Sequence, residues 1–149
     1  MQYFCFRLNI IHNPITHNGF NIQENFFITA GNYVVIDILQ WDEKNNLVYF
    51  MGTGSDEPGT RHLYVAQTAV VNAEVVTCIT CDLKTQKNPN DICKYNSILM
   101  NSDATFYVQT CLGPNIPEIV LRSVNENHEV KYIFELNEYL EEQLKGKKN

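Results

Sequence analysis

Strand-forming runs occur twice along this chain in the same order, about 60 residues apart. Each unit has four runs rich in β-branched and aromatic residues, and a loop with glycine or proline precedes the third run. The runs are residues 34–39, 47–51, 61–66 and 74–80 in the first unit, and residues 95–100, 104–110, 118–123 and 129–134 in the second. This spacing predicts an all-β protein in which each unit forms one antiparallel sheet.

Repeating four-stranded meanders favour the blades of a β-propeller, although the period here exceeds the roughly 40–45 residues of compact propeller repeats. The sequence therefore predicts two four-stranded antiparallel β-propeller blades over residues 28–136. A single β-sandwich of eight strands is the alternative fold. Residues 1–27 have the weakest pattern and are a poorly matched lead segment, for which a place in a preceding blade is one interpretation.

The last segment, residues 137–149, has a different pattern and predicts one short C-terminal helix. Asn137 suits an N-cap, acidic residues follow it, and Lys145 and Gly146 suit the C-terminal end. The acidic residues are expected on a solvated face: Glu138, Glu141 and Glu142. The apolar residues are expected to dock on the last blade or on a segment that follows: Leu136, Tyr139, Leu140 and Leu144.

Composition excludes several classes of protein. A chain of 149 residues that is 44% hydrophobic can bury a core, and its 11% of aromatic residues argues against disorder. The net charge of −6 provides no basic surface for nucleic acid or for an anionic membrane. No apolar run approaches the roughly 20 residues of a membrane-spanning helix, and the first residues make a poor secretory signal.

The register of one predicted hairpin brings two cysteines together. If residues 101–103 form a three-residue loop, Met100 faces Ala104 and Cys93 lies opposite Cys111 on the neighbouring strand. Opposed residues in an antiparallel pair have Cβ atoms about 4.5–5.5 Å apart, close to disulfide geometry. The sequence therefore predicts a disulfide between Cys93 and Cys111.

A Cys78-Ile79-Thr80-Cys81 motif precedes that pair, and three kinds of chemistry use its spacing. A disulfide within the motif is the main prediction, with Cys5 left unpaired. The alternatives are a zinc site completed by Cys93 and Cys111, and a redox centre. The redox form normally opens a helix, whereas this motif ends a strand and enters a polar loop. Two disulfides are typical of an extracytoplasmic protein.

The other reactive side chains do not form a recognisable site. Ser55, Asp56 and His62 have the residue types of a nucleophilic triad, but the sequence contains no Gly-x-Ser-x-Gly elbow. The loop of residues 52–59 has the glycines of a phosphate cradle without the helix that should follow. The histidines lack metal-ligand spacing: His12, His17, His62 and His128. We predict no catalytic, substrate-binding or metal-binding residue and no cofactor.

Several short stretches agree in order and cysteine spacing with a known family. These are Phe27-Ile28-Thr29-Ala30-Gly31-Asn32-Tyr33-Val34-Val35-Ile36, Arg61-His62-Leu63-Tyr64, Cys78-x-x-Cys81, Cys93, and Cys111-x-Gly113-Pro114-x-x-Pro117. By these features the chain resembles the β-propeller domain of the dipeptidyl peptidase IV family, in the segment before its hydrolase domain. The first 26 residues do not follow the family pattern.

The resemblance implies an exported or membrane-anchored ectoenzyme that joins an eight-bladed propeller to an α/β-hydrolase domain with a Ser-Asp-His triad. Such enzymes remove N-terminal dipeptides with proline or alanine in the second position, and two glutamates from an earlier blade hold the substrate amine. The implied partners are the remaining blades, the hydrolase domain, the peptide substrate of the parent and, in a homodimer, a second copy. Neither the triad nor the glutamate pair has a match here.

Two interpretations of function follow from the resemblance. In the first, the chain is a non-catalytic propeller fragment of a dipeptidyl peptidase, and residues 137–149 are the exit helix toward the hydrolase domain. In the second, it is a fragment of a catalytically inactive relative that binds another protein. Both place the chain outside the cell, in a secreted protein or an ectodomain.

Overall fold

The computed structural model describes residues 9–11, 15–17, 20–22, 25–27, 33–54, 57–68 and 76–147. Four short strands lie in the first part: β1 (Asn9–Ile11), β2 (Ile15–His17), β3 (Phe20–Ile22) and β4 (Asn25–Phe27). β1 pairs with β4, and β2 pairs with β3, both antiparallel. The place of these strands in a preceding blade stays a prediction.

The rest of the chain forms two four-stranded antiparallel sheets, one after the other. The first contains β5 (Tyr33–Asp42), β6 (Leu47–Gly54), β7 (His62–Gln67) and β8 (Val76–Cys78). The second contains β9 (Tyr95–Met100), β10 (Phe106–Gly113), β11 (Glu118–Ser123) and β12 (Val130–Glu135). In both sheets the spatial order follows the chain order. Two consecutive meanders of this kind are propeller blades, so the predicted all-β propeller fold is confirmed.

Asparagine and aspartate side chains determine where the first hairpin turns. The amide of Asn45 donates a hydrogen bond of 3.1 Å to Asp42 Oδ1, and Asn46 has a left-handed backbone with φ of 56°. Asparagine tolerates this conformation because its short side chain bonds to the local backbone. Asn127, in the turn before β12, also has a positive φ, of 50°. The polar turn clusters of the sequence are therefore real hairpin ends.

The predicted register of the β9–β10 hairpin is wrong. Met100 pairs with Tyr107 rather than with Ala104, and Cys111 pairs with Asn96 rather than with Cys93. The cause is Asn101, whose Oδ1 accepts hydrogen bonds of 2.9 Å from the amides of Thr105 and Phe106. These bonds hold a longer loop than the three residues that the sequence suggested. The register shifts again between Cys111 and Gly113, where a bulge interrupts the ladder.

One apolar core lies between the two blades. It contains Tyr49, Met51, Leu63 and Ile79 from the first blade, and Ile98, Ala104 and Tyr107 from the second. A second cluster lies on the opposite face of the first sheet: Val35, Val48, Phe50, Tyr64 and Ala66. Alternate residues of β6 therefore point into different clusters, which explains why this strand reads as a continuous apolar run.

The C-terminal helix α1 (Glu138–Gly146) confirms the predicted element but not the predicted cap. Asn137 precedes the helix in a left-handed conformation, and its side chain makes no capping bond. Instead Asn137 Nδ2 donates a hydrogen bond of 2.8 Å to the Pro117 carbonyl. The helix buries none of its residues, and Tyr139 is 73% exposed. In the described part of the chain, no helix has the length and apolar character that a membrane crossing requires.

Candidate functional site

Backbone contacts join the two blades at the start of β7 and β9. The Arg61 amide donates to the Lys94 carbonyl (2.8 Å), and the Asn96 amide donates to the Arg61 carbonyl (2.9 Å). An isolated parallel bridge therefore links Arg61 with Tyr95. Because these bonds hold His62 and Asn96 side by side, polar side chains from both blades meet between the sheets.

Buried polar side chains meet here in two hydrogen-bonded groups, His62 with Thr80 and Asn96 with Gln109 and Arg122, which together we call the polar chain. His62 Nδ1 lies 3.1 Å from Thr80 Oγ1. Gln109 Nε2 donates to Asn96 Oδ1 (2.7 Å), and Arg122 Nε donates to Gln109 Oε1 (2.6 Å). All five residues are buried. Buried polar groups that satisfy one another in this way stabilise one particular packing of the blades.

Arg122 anchors the far end of the polar chain. Its guanidinium also donates to the carbonyls of His128 (2.9 Å) and Lys84 (3.3 Å). Burial lowers the pKa of Arg122, while the nearby Tyr107 and Glu118 act in the opposite direction. Glu118 is itself buried, and both its carboxylate oxygens accept from the Gln86 amide, at 3.0 and 2.8 Å. The cation is thus held by fixed oxygen acceptors inside the blade.

The polar chain contains one hydroxyl beside an imidazole, yet it is not a nucleophilic site. Thr80 is completely buried, and its Oγ1 accepts the Leu63 amide at 3.0 Å. No substrate can approach this oxygen without opening the blade. Of the residues in the rejected triad, His62 is buried and bonded to Thr80, whereas Ser55 and Asp56 lie outside the described residues. The geometry supports a structural role for this pair.

Both disulfides are present in the structure. Cys78–Cys81 and Cys93–Cys111 each join Cα atoms 5.7 Å apart. The four-cysteine zinc site is therefore not formed, because Cys93 and Cys111 are bonded to each other and are buried. Cys78 ends β8 and no helix follows it, which also disfavours the redox motif. Cys5 lies outside the described residues.

The remaining histidines lie in different surroundings. His12 lies outside the described residues, and His17 belongs to β2. His128 is half-buried, with its ring centre 5.8 Å from that of Tyr107. Burial, and then the charge of Arg122, lowers the pKa of His128.

The sequence analysis missed the polar chain, although one signal pointed to it. Gln109 is in phase with the buried residues Tyr107 and Cys111 on β10, so its side chain points into the core. A polar residue at an inward position of a strand requires a hydrogen-bond partner. The partners come from other strands, which the alternation within β10 does not identify.

Two surface clefts accompany these buried features. One, of about 530 Å³, lies between the loop of residues 85–91 and α1, where Lys87 Nζ pairs with Glu141 Oε2 at 2.8 Å. The other, of about 850 Å³, lies between the turns that follow β5 and β9 and includes Trp41. Within the described residues, neither cleft has a nucleophile aligned with a general base.

Comparisons with known proteins agree with this fold. The family model for the dipeptidyl peptidase IV (DPP IV) N-terminal region matches residues 10–118. The chain belongs to the dipeptidyl peptidase IV family. Dipeptidyl peptidase 4 of Bos taurus is 33% identical over 118 residues, which cover 79% of this chain and 14% of the bovine protein. The predicted family is therefore confirmed.

Active and inactive family members match to a similar degree. The inactive dipeptidyl peptidase 10 of Rattus norvegicus is 31% identical over 121 residues, covering 81% of this chain and 14% of the rat protein. The venom dipeptidyl peptidase 4 of Vespa velutina is 29% identical over 117 residues, with coverage of 78% and 14%. The chain thus spans about one seventh of the length of these relatives.

Proposed function

We propose that this chain is a non-catalytic propeller segment of a dipeptidyl peptidase IV-like serine exopeptidase. Its role is to wall the cavity of the propeller and to support an α/β-hydrolase domain that carries the catalytic serine. The parent releases N-terminal dipeptides with proline or alanine in the second position. The observation that carries this proposal is the pair of consecutive blades, joined by the backbone bonds of Arg61 to Lys94 and Asn96 and by a common apolar core, in a chain that matches the family's N-terminal region.

The surfaces that the two blades leave uncovered support the same role. Ile36, Ile38 and Trp41 on β5 are about half exposed. At the opposite edge of the second blade, β12 exposes Tyr132 and Phe134. Blades in a ring bury such surfaces against their neighbours. We therefore assign the remaining blades and the hydrolase domain as the covering partners.

The second candidate is a segment of a catalytically inactive, protein-binding ectodomain. It is favoured by the inactive rat relative, whose 31% identity is close to the 33% of the bovine relative. These blades contain no residue that separates the two candidates. A Gly-x-Ser-x-Gly elbow encoded downstream of Asn149 favours the active enzyme, and its replacement in an otherwise intact hydrolase domain favours the inactive one.

We also propose an extracellular location, in a secreted protein or the ectodomain of an anchored one. The two disulfides support this location because such bonds persist in oxidising compartments. The wasp relative is named as a venom protein, which agrees with export.

A segment exchange tests the supporting role. The segment of bovine dipeptidyl peptidase 4 that corresponds to this chain is replaced by residues 28–149 of this chain; we call the product the grafted protein. We expect the grafted protein to be secreted and to cleave a Gly-Pro-linked chromogenic substrate. The isolated chain should leave the same substrate uncleaved, because the residues that the structure describes offer no aligned nucleophile, base and oxyanion donors.

The matched control is a grafted protein with Cys93→Ser and Cys111→Ser. This variant loses a bridge that closes an 18-residue interval, worth about 3 kcal/mol, and should be secreted poorly. A grafted protein that is secreted and folded but inactive would argue against the supporting role. Turnover by the isolated chain that disappears in His62→Asn would show that a catalytic site had been overlooked.

A further inference from the structure

Three side chains of the first blade form a ligand set that their spacing in the sequence does not reveal. His62 begins β7, Cys78 ends β8, and Cys81 follows three residues later. Their two sulfur atoms and a ring nitrogen of His62 all lie within 4.8 Å of one another. We propose that, once the Cys78–Cys81 bond is reduced, these three side chains bind one soft divalent cation such as Zn²⁺. The proposal is independent of the role as a propeller segment.

Backbone hydrogen bonds hold the ligands in place without the help of the disulfide. Tyr64 pairs with Cys78 in the β7–β8 ladder. The alignment continues beyond β8, because the Ile79 amide donates to the Leu63 carbonyl (2.8 Å) and the Leu63 amide donates to Thr80 Oγ1 (3.0 Å). Reduction removes only the sulfur–sulfur bond, so the three ligands stay on neighbouring backbone segments.

The hydrogen bonds of His62 leave one ring nitrogen available to a metal. Asn96 Nδ2 has two hydrogens, and it donates them to the carbonyls of Arg61 (2.9 Å) and Cys93 (3.1 Å). Both hydrogens of Asn96 Nδ2 thus have acceptors without His62 Nδ1, which lies farther away at 3.4 Å. The proposal places the Nδ1 proton in the bond with Thr80 Oγ1, so that the lone pair lies on Nε2. Metal-bound histidines typically have their other nitrogen fixed in this way.

The charge around His62 also suits a cation. Burial lowers the pKa of His62, whereas a hydrogen bond with the Thr80 backbone acts in the opposite direction. The carboxylates of Glu57 and Asp82 raise the pKa of His62, whereas the charge of Lys94 lowers it. Two thiolates and one imidazole are donors that zinc prefers, and Cys-x-x-Cys is a common spacing in zinc sites.

The two disulfides differ in how far solvent and a reductant can reach their sulfur atoms. Cys78 and Cys81 are half-buried, whereas Cys93 and Cys111 are 2% and 1% exposed. A phosphine therefore reaches Cys78–Cys81 first. It transfers two electrons to the sulfur–sulfur bond, water supplies two protons for the thiols, and the phosphine leaves as its oxide with the oxygen of that water. Zn²⁺ then displaces both thiol protons.

The experiment uses the grafted protein, because the isolated chain is expected to associate or to pack loosely without neighbouring blades. Zinc counts are taken relative to the grafted protein with Cys78→Ser and Cys81→Ser. The grafted protein is reduced mildly with a phosphine, alkylation of a sample maps the open thiols, and zinc is titrated under nitrogen. The comparison variants are His62→Asn, whose amide can still bond to Thr80, and the pair Cys78→Ser with Cys81→Ser. X-ray absorption at the zinc edge then gives the ligand types in the unmutated site.

We expect one zinc per chain more than in the double cysteine variant after reduction, and no excess before it. His62→Asn should bind at least about tenfold more weakly, since even outer-shell partners of metal ligands contribute that much. The absorption spectrum should contain two sulfur ligands and an imidazole. The proposal is overturned if the reduced grafted protein binds no more zinc than the double cysteine variant, or if the spectrum contains only sulfur ligands.

Discussion

At the residue scale, the polar chain depends most on Arg122. Replacing it by methionine leaves Gln109 Oε1 and the carbonyls of Lys84 and His128 without their donor. We expect Arg122→Met to lower the free energy of unfolding by about 3 kcal/mol, as for other buried charge networks that lose one partner. Urea unfolding of the grafted protein measures this change.

The matched control for that variant is Lys131→Met. Lys131 is a surface residue paired with Glu126 and Glu129, so its loss should change the unfolding midpoint very little. Equal midpoints for the two variants would contradict the importance assigned to the polar chain.

A pH dependence follows from His128. Its pKa is lowered by burial and by the charge of Arg122. The ring of Tyr107, which is neutral, also lies against His128. Between this lowered pKa and the unfolded value of about 6.5, the unfolded state binds more protons. Stability is therefore fully present above about pH 6.5 and is lost as the pH falls below it.

The variant that isolates this effect is His128→Asn, because asparagine accepts the left-handed backbone at φ of 59° but does not titrate. In the grafted protein, the loss of stability between about pH 7.5 and pH 5.5 should be smaller for this variant. An unchanged loss would exclude His128 as its source.

The sequence could predict residues whose pairing is local, but not those that meet across blades. Cys78 and Cys81 are three positions apart, so their contact needs no knowledge of the fold. Asn96 and Arg122 are brought to Gln109 from separate strands, and Asn96 also donates to the Arg61 carbonyl of the other blade. The disulfide Cys93–Cys111 is present although the register that predicts it is wrong, since Cys111 lies opposite Asn96 and Cys93 precedes β9.

At the element scale, the strands follow from alternation and from turn residues, whereas their registers do not. All eight predicted runs coincide with β5 to β12 within a few residues. The loop before β10 differs because the Asn101 side chain bonds to two backbone amides. Side-chain bonds of this kind compete with the ladder, and periodicity carries no information about them.

The start of α1 gives a prediction at the same scale. Asn137 combines a left-handed backbone with a bond to the Pro117 carbonyl. Asn137→Ala should destabilise this junction by about 2 kcal/mol, half from the strained backbone and half from the lost bond. Asn137→Gly should cost only about 1 kcal/mol, because glycine accepts the conformation.

Limited proteolysis of α1 in the grafted protein distinguishes the two variants. The alanine variant should be cut faster than the glycine variant, and both should be cut faster than the grafted protein without a substitution at Asn137. Faster cleavage of the glycine variant would contradict the assigned role of the backbone conformation.

At the scale of the whole molecule, the two blades bury one apolar core between them, whereas their outer surfaces are exposed. The core between them is closed, as Met51, Leu63 and Tyr107 are almost completely buried. Several exposed apolar residues lie instead on the outermost strands of the pair, for example Ile38 on β5 and Phe134 on β12. Exposed apolar strands at sheet edges favour association between molecules. The segment should therefore depend on neighbouring blades for its compact state.

The measurement that tests this account most directly is the solution state of the isolated chain. Size-exclusion chromatography with light scattering gives its mass, and thermal unfolding followed by circular dichroism gives its cooperativity. We predict oligomers, aggregates or a loosely packed state without a sharp transition, because repeat units need neighbours to bury their apolar faces. A monomer that unfolds in one sharp, cooperative transition would contradict the account and would favour a self-contained eight-stranded sandwich.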